Sequence, residues 1–190
     1  MGVDNLKAFE AFYESLSYMA EHSDEFITEC VKDVAAEFLS RLRLRSPVSE
    51  NELIRYYGRG GQVLEYKVAG GTYRRGWTVD DPESDTRDIT PEQYVETAEI
   101  KKTGSGQEMV IANNTEYAAP LEYGHRQNVG QFVPVLGSPD KNGVVTGATL
   151  KAPFVPGQYI LTNVEAEMQQ MVDARLAVLL DKYIQENFDW

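Results

Sequence analysis

A long amphipathic segment at the end of the sequence limits the possible folds more than any other pattern. Apolar residues recur there at intervals of three and four, the spacing that lines one face of an α-helix. That face carries Ile160, Val164, Met168, Met171, Val178 and Leu179, with Arg175 on the same line and Leu161, Leu176, Tyr183 and Ile184 beside it. Pro156 suits the first turn of this helix. About 28 helical residues extend about 42 Å, more than the width of a small sheet, so we expect part of the helix to project or to contact a neighbour.

Two further helical patterns precede residue 46. The first consists of Leu6, Phe9, Phe12, Leu16 and Met19, and we expect this short helix to end before Ser23. Ser23 is a favoured N-cap residue, and Asp24 and Glu25 suit the positive end of a helix, so a second helix is predicted from there. Its apolar face consists of Ile27, Cys30, Val31, Val34, Phe38 and Leu42. Pro47 prevents its continuation.

The middle of the chain is less regular. Glycines interrupt residues 46–70, so we expect a mostly irregular insertion with one strand near Val63–Val68. The stretch Arg75–Val79 has the aromatic and β-branched content of a strand. Residues 80–99 hold eight acidic residues against one basic residue, which predicts a solvated loop.

The clearest hairpin follows that loop. Its predicted turn is Thr103-Gly104-Ser105-Gly106, and the return strand carries Met109-Val110-Ile111. We expect Asn113-Asn114 to form the exit turn, because asparagine tolerates left-handed dihedral angles. The glycine-containing stretch 127–152 predicts a long loop with one or two short strands, around Phe132–Val135 and Val144–Leu150. We expect this loop to be mobile in the free protein and to become ordered on assembly.

These elements predict an α+β fold in one domain spanning residues 1–190. A small antiparallel β-sheet packs against a helix in the N-terminal half and against the long C-terminal helix. Within that domain we distinguish an N-terminal helix at 1–22, an insertion at 46–70 and the long loop at 127–152.

Charge and cysteine content limit the classes of protein to which this chain can belong. The net charge of −12 repels nucleic acid on average; it either reflects solubility alone or provides an acidic wall along which DNA slides. Cys30 is the only cysteine, so no intramolecular disulfide is possible and a reducing compartment is indicated. The N-terminus lacks the pattern of a secretion signal, and no apolar stretch reaches membrane-spanning length. We therefore expect a soluble intracellular protein with no membrane partner.

Residue patterns for chemistry are weak. His22 and His125 are the only histidines, no metal-ligand spacing exists, and the glycines at 58, 60 and 61 do not form a phosphate-binding loop. Glu122 and His125 form a possible acid–base pair, but no nucleophile accompanies them. The other interpretation places both at the rim of a strand and turn. The sequence thus predicts no catalytic residue, no cofactor and no metal.

A charge asymmetry bears on self-association. The stretch from Arg41 to Arg75 holds eight basic residues against three acidic ones, and the next twenty residues are strongly negative. Adjacent basic and acidic blocks allow copies to pair head-to-tail, which gives rings when the rotation closes. A chance distribution of surface charge explains the same pattern, because surface ion pairs contribute little.

The order of several motifs resembles the tail-completion or neck proteins of long-tailed bacteriophages, the gp-ten-like head–tail joining family. The motifs are Ser46-Pro47-Val48, Gly71-Thr72-Tyr73-Arg74-Arg75-Gly76-Trp77, Tyr117-Ala118, Glu122-Tyr123-Gly124-His125-Arg126 and Pro153-Phe154. The resemblance covers roughly residues 25–184. Two departures are the insertion of over twenty residues after Pro47-Val48, and Gly76 in place of a small hydroxyl residue. In these motifs we expect Gly71 and Gly124 to permit turns and the Trp77 indole nitrogen to need a partner.

The resemblance implies a structural virion protein, made in the cytoplasm of a bacterial host, rather than an enzyme. Copies assemble as a hexameric or dodecameric ring at the neck, between head-completion or adaptor proteins and tail terminator or tail tube proteins. Genomic DNA passes through the lumen without specific binding. The candidate interface residues are Arg74, Arg75, Tyr117, Glu122, Tyr123, His125 and Arg126. The alternatives are a tail terminator, a head-side adaptor, a phage hydrolase that uses Glu122 and His125, and a nucleic-acid binder that uses the basic block.

Overall fold

The computed structural model describes residues 3–48, 52–79, 89–104 and 106–187, and for residues 3–12 and 52 it describes the backbone alone. Within these ranges the helices are α1 (Val3–Arg45), α2 (Thr72–Arg75), α3 (Pro91–Thr97), α4 (Ala118–Tyr123) and α5 (Ile160–Asn187). The strands are β1 (Glu52–Tyr57), β2 (Val63–Val68), β3 (Trp77–Val79), β4 (Lys101–Thr103), β5 (Gly106–Glu108), β6 (Ile111–Asn113), β7 (Gly124–Arg126), β8 (Phe132–Val133), β9 (Ala148–Thr149) and β10 (Phe154–Pro156).

All strand pairs are antiparallel and two-stranded. They join β1 to β2, β3 to β6, β4 to β5, β7 to β10 and β8 to β9. The predicted α+β class is confirmed, with the strands distributed over separate small ladders between the two long helices.

One continuous helix replaces the two that we predicted before residue 46. Residues 3–46 contain neither glycine nor proline, so nothing in the backbone forces a break near residue 23. The Ser23 hydroxyl donates to the Ala20 carbonyl at 3.1 Å, as it does inside a helix, and the predicted N-cap at Ser23 is wrong. Pro47 lies directly beyond the end of α1, as expected, and α1 is about 64 Å long.

Helices α1 and α5 run antiparallel and are joined by charged side chains. Arg175 of α5 pairs with Asp33 and Glu37 of α1, while Glu167 accepts from Arg41 at 3.4 Å. Arg45 also reaches Glu167. Two α1 residues of the basic block are therefore paired within the chain and are not available for head-to-tail pairing between copies.

The core lies where the C-terminal half of α1 meets the start of α5 and the small elements. Its buried side chains are Ala35, Ala36, Leu39, Leu42, Tyr73, Trp77, Val79, Tyr94, Val95, Ile160, Val164 and Met168. Leu39, Leu42 and Val164 are fully buried, and each contributes about 1.5–3 kcal/mol by leaving water. This cluster fixes α5 relative to β3 and so positions the motif residues.

The insertion after α1 is a regular hairpin. The predicted strand Val63–Val68 is confirmed as β2, but it pairs over six residues with β1, so the expectation of a mostly irregular segment is wrong. Gly61 adopts φ 79° in the turn between the two strands. The hairpin also contacts the 127–152 segment, because the Val145 N–H donates to the Arg55 carbonyl at 2.7 Å.

Helix α3 lies in the stretch that we predicted to be a solvated loop. The Thr90 hydroxyl accepts from the Gln93 N–H at 3.3 Å, and the Gln93 side chain accepts from the Thr90 N–H at 3.2 Å. This is a capping box, with Pro91 at the first helical position. Tyr94 and Val95 of α3 are buried against α1, so tertiary packing stabilises this short helix. The acidic residues at 80–88 lie outside the described residues.

The predicted hairpin after Ile100 exists, but its return strand is Gly106–Glu108, so the return strand predicted at Met109-Val110-Ile111 is wrong. Residues 101–103 pair with 106–108, which confirms the turn, and Ile111–Asn113 instead pairs with Trp77–Val79. The predicted strand at 75–79 begins at Trp77, because Thr72–Arg75 forms one helical turn. In the 127–152 segment, the two predicted strands are present as β8 and β9 and pair with each other.

Candidate assembly interface

The two longest motifs lie against each other. Trp77 pairs with Asn113 in the β3–β6 ladder, which brings residues 71–77 beside residues 113–126. The Tyr73 ring lies between two others, 5.7 Å from the Trp77 ring in an edge-on arrangement and 6.2 Å from the Tyr117 ring. This aromatic row runs from the buried Trp77 to Tyr117, which is 45% exposed.

The Trp77 indole has the partner that its burial requires. Its Nε1–H donates to the Ser46 Oγ at 2.8 Å, and the Ser46 hydroxyl donates in turn to the Leu42 carbonyl at 2.6 Å. Both residues are buried. The Ser46-Pro47-Val48 motif thus contributes the hydroxyl that accepts from Trp77 of the 71–77 motif. This contact fixes the end of α1 to β3.

Asn113 and Asn114 connect the motifs with their side chains. Asn113 Nδ2 donates to the Tyr73 carbonyl at 2.9 Å, and its Oδ1 accepts from the Thr115 N–H at 3.1 Å. Asn114 Nδ2 donates to the Thr78 hydroxyl at 3.3 Å. Neither asparagine has a positive φ, so the left-handed turn predicted for them is wrong.

The arginines of the 71–77 motif, Arg74 and Arg75, are half-buried on α2. Arg74 Nη2 donates to the Ser46 carbonyl at 3.5 Å. Gly71 has φ 72°, as the predicted turn requires, and a Cβ there would lie 2.9 Å from Arg75 Nη1. Arg75 therefore lies back over Gly71. The Arg74 guanidinium is thus directed at the Ser46 carbonyl and the Arg75 guanidinium at Gly71.

Glu122 is buried and caps α5. Its carboxylate accepts from the Leu161 N–H at 2.9 Å, from the Thr162 N–H at 3.0 Å and from the Thr162 hydroxyl at 2.8 Å. Helix N-termini leave N–H groups without intrahelical partners, and a carboxylate satisfies them and complements the helix dipole. The helix therefore starts at Ile160, and Pro156 lies in β10, so the predicted start at Pro156 is wrong.

Electrostatics agree with this capping role. Burial by itself would raise the pKa of the Glu122 carboxyl, but hydrogen bonds from Thr162, Leu161 and Ile160 outweigh it and hold the pKa below its ordinary value. Burial, with the Glu122 charge and Tyr117 nearby, raises the pKa of Tyr73 to about 12. Glu122 stays ionised and Tyr73 stays neutral at physiological pH.

The exposed part of the motifs is the ribbon formed by β7 and β10. His125 and Arg126 are exposed, Tyr123 is 61% exposed and Phe154 is 48% exposed. Phe154 pairs with Arg126, and its ring occupies the space in which a Cβ on Gly124 would lie. Gly124 has φ 83°, so it both makes the turn and admits the ring. His125 lies on the opposite face of this ribbon from Arg126 and Phe154, because successive side chains of a strand point to opposite faces. Tyr123, Arg126, Phe154 and Tyr159 are called the aromatic patch below.

Tyr159 joins the patch through an unusual backbone conformation. Its φ is 51°, in the left-handed region that residues other than glycine rarely adopt. Its N–H donates to the Glu122 carbonyl at 3.1 Å, and its own carbonyl accepts from the Asn163 N–H at 2.9 Å. These bonds hold Tyr159 at the start of α5 with its side chain 47% exposed.

The structure also shows what Glu122 and His125 do individually. The Glu122 carboxylate is directed at α5, whereas His125 is exposed on β7, where its Nε2 lies 3.5 Å from Gln127 Nε2. A carboxylate with a lowered pKa is a weak base and is not a proton donor near neutral pH. In the part of the chain that the structure describes, no cluster of three or more metal-ligating residues occurs, and none of the helices is long and apolar enough to cross a membrane.

Comparison with known families decides the class of protein. The sequence profile of the family described as “Bacteriophage HK97-gp10, putative tail-component” matches residues 10–124, which is 115 of the 190 residues. The chain belongs to this family. The HK97-gp10-like family is one of phage tail components, so the protein is a tail structural protein of the virion. Neither a curated protein sequence nor a solved structure matches the chain.

The HK97-gp10-like match covers five of the seven candidate interface residues and ends at Gly124, before His125 and Arg126. The sequence analysis did not predict the roles of three residues of the candidate interface. These are Ser46 as the partner of Trp77, Asn113 as a side-chain link between the motifs, and Tyr159 at the start of α5. A buried tryptophan signals that some acceptor must exist, but the partner lies 31 residues away. Sequence spacing cannot reveal such a contact.

Proposed function

We propose that the protein forms a ring at the neck of the virion and joins the DNA-filled head to the tail. Family membership supports a tail component, and the neck position is the more specific proposal. The partners of the ring are further copies of the chain, head-completion or adaptor proteins above it and tail terminator or tail tube proteins below it.

The observation that carries the proposal is the aromatic patch on a rigid support. Tyrosine, phenylalanine and arginine are enriched at protein–protein interfaces and often dominate the binding energy. Here Arg126 and Phe154 are presented on a short ribbon, and Tyr123 directly precedes it at the end of α4, next to Glu122, which binds the start of α5. Such a surface suits docking to a neighbouring virion protein, with Tyr117, Arg74 and Arg75 as its expected extension.

Glu122, one of the two residues of the hydrolase alternative, has a structural role. The Glu122 carboxylate accepts three hydrogen bonds at the start of α5, and this use supports a non-enzymatic protein. The net charge of −12 suits a lumen through which DNA slides, because phosphate groups are repelled. Three arginines of the basic block bind within the chain, which disfavours the nucleic-acid-binding alternative.

Electron microscopy of a phage lysate that lacks this gene tests the proposal. We expect full heads beside separate, intact tails, and joined particles when the wild-type chain is supplied in trans. Arg126→Glu is expected to leave heads and tails unjoined. Lys141→Glu, which makes the same charge change at an exposed residue away from the patch, serves as the control and restores joining.

Normally joined, infectious particles in the absence of the gene would overturn the proposal. Tails of unregulated length would favour the tail terminator instead, because a terminator stops the polymerising tube. Empty heads with normal tails would favour a head-side adaptor.

A further inference from the structure

The N-terminal part of α1 extends past the helix that accompanies it. The Tyr18 hydroxyl donates to Asn187 Oδ1 at 3.2 Å at the end of α5, and the Phe26 and Tyr183 rings lie 4.8 Å apart one step further in. Residues 3–19, which are called the arm below, therefore extend past the C-terminal end of α5. The arm is about 25 Å of helix.

The sequence of the arm has apolar residues at helical spacing. Leu6, Phe9, Phe12, Leu16 and Met19 follow each other at intervals of three and four in the sequence. Where side chains are described, Tyr13 is 71% exposed and Leu16 is 48% exposed. An apolar stripe on a projecting helix is typical of a segment that binds in a groove.

A groove of matching character lies between α1 and α5. Its volume is about 790 Å³, the space of about 26 waters at about 30 Å³ each, so it is far larger than a packing defect. Its walls include Ile27, Val31 and Val34 of α1 and Val172, Leu176 and Leu180 of α5. Ile27 and Leu180 are 40% and 38% exposed, so the groove is open to solvent. Open apolar surfaces of this kind mark interaction sites.

We infer that this groove binds the arm of a second copy of the chain. The chain's own arm cannot enter, because it continues α1, which forms one wall of the groove, and would have to break that helix. The groove follows α5 from Glu165 to Leu180, about 22 Å, which matches the length of the arm. A docked arm would complete a three-helix packing with α1 and α5.

This inference rests on the proposed ring and specifies the contact that would build it. Arm and groove are different surfaces, and every copy has both, so the contact is head-to-tail and closes into a ring when the rotation allows. The arm presents about half of a cylinder roughly 10 Å wide, or about 400 Å². Both sides together bury about 800 Å², less than the 1,200–2,000 Å² or so of a stable complex. We therefore expect weak, reversible association of the isolated protein, which ring closure reinforces.

Sedimentation velocity of the full chain, up to millimolar concentration, tests the inference. Leu16→Asp damages the arm, and Ile27→Asp damages the groove; both residues are substantially exposed, so we expect both variants to fold. Each variant alone should remain monomeric while the wild type associates. Glu14→Ala, about 200° around the helix from Leu16, is the matched control and should associate like the wild type.

The decisive measurement uses an equimolar mixture of the two variants. One intact arm and one intact groove remain, so the equimolar mixture should give 1:1 dimers and nothing larger. A monomeric mixture, a monomeric wild type at millimolar concentration, or a variant that associates as the wild type does would overturn the inference. Leu180→Asp, on the other wall, replaces Ile27→Asp if circular dichroism shows that the latter is unfolded.

The lysate experiment keeps the two proposals separate. If Leu16→Asp restores joined particles, the arm contact is wrong while the neck assignment stands. If particles join without the gene, the neck assignment is wrong whatever the solution behaviour of the variants.

Discussion

Glu122 shows how one side chain can connect a motif to the architecture. Its carboxylate is buried, accepts from the first turn of α5, and keeps a lowered pKa in spite of its burial. The residue is adjacent to the exposed Tyr123, so the same short segment both starts the long helix and presents the aromatic patch. A change at Glu122 is therefore expected to affect stability before it affects any interface.

Replacing the cap measures that role. We expect Glu122→Ala to lower the free energy of unfolding by about 1–3 kcal/mol, because buried N–H donors at the start of α5 lose their acceptor. Urea denaturation followed by circular dichroism gives this value. Glu116→Ala, the same change at an exposed carboxylate, should remain within about 0.5 kcal/mol of the wild type. Equal losses at both positions would contradict the capping role.

The stability from Glu122 should depend on pH in a definite direction. Its pKa in the folded protein lies below the ordinary value of 4.5, so the stabilisation is fully present above about pH 4.5. It is lost as the pH falls through the lowered pKa of the folded state. The difference in unfolding free energy between the wild type and Glu122→Gln should therefore be larger at pH 7 than at pH 3. A difference that does not change with pH would rule out the ionised cap.

The bond between Trp77 and Ser46 can be isolated with a double-mutant cycle. We expect Ser46→Ala to destabilise the protein by about 1–3 kcal/mol, because the buried indole N–H loses its acceptor at 2.8 Å. In a Trp77→Phe background the same change should cost less, since no N–H remains to be satisfied. Additive losses would show that the two side chains are not coupled.

At the scale of elements, the sequence predicted what depends on local pattern. The length of the terminal helix, the strand at Val63–Val68, and the turn after Thr103 followed from periodicity and glycine positions. Helix α3 was missed although the Thr90–Gln93 capping box is visible in the sequence, because the acidic composition outweighed it. The start of α5 had no local signal, since its cap comes from a residue 39 positions earlier.

The continuity of α1 is directly testable at Ser23. In a continuous helix, Ser23→Pro removes the hydrogen bond to Met19 and clashes with its carbonyl, a loss of about 3 kcal/mol within the helix. The residues before it should then lose helical structure, because isolated helices of this length are marginal. We expect a lower helical signal in circular dichroism and fast amide exchange before residue 23. If a new helix began at Ser23, proline there would be tolerated, because an N–H group at the start of a helix has no intrahelical partner to lose.

The mobility of residues 127–152 in the free protein stays a prediction. We expect faster amide exchange there than in α1 or α5, with the turn near Val144 as the slowest part of the segment. That turn is anchored by N–H bonds from Asn142 and Val144 to the Asp140 carboxylate and by the Val145 contact with Arg55. Exchange as slow across the whole segment as in the helices would contradict the expected mobility.

At the scale of the whole molecule, three surfaces have separate proposed roles: the arm, the groove and the aromatic patch. In the proposed ring the arm and the groove form the contacts between copies, and the aromatic patch is the proposed contact with the proteins above or below it. Sequence periodicity identified the apolar stripe of the arm, but the groove depends on how α1 and α5 pack against each other, which is a tertiary property. The net charge of −12 would, in the proposed ring, disfavour the binding of DNA phosphates.

Electron cryomicroscopy of the neck of the joined virion tests the central claim most directly. The account predicts a closed ring between head and tail in which each subunit fits this fold, with α1 and α5 antiparallel. Finding the fold in another part of the particle, or a neck without it, would contradict the account.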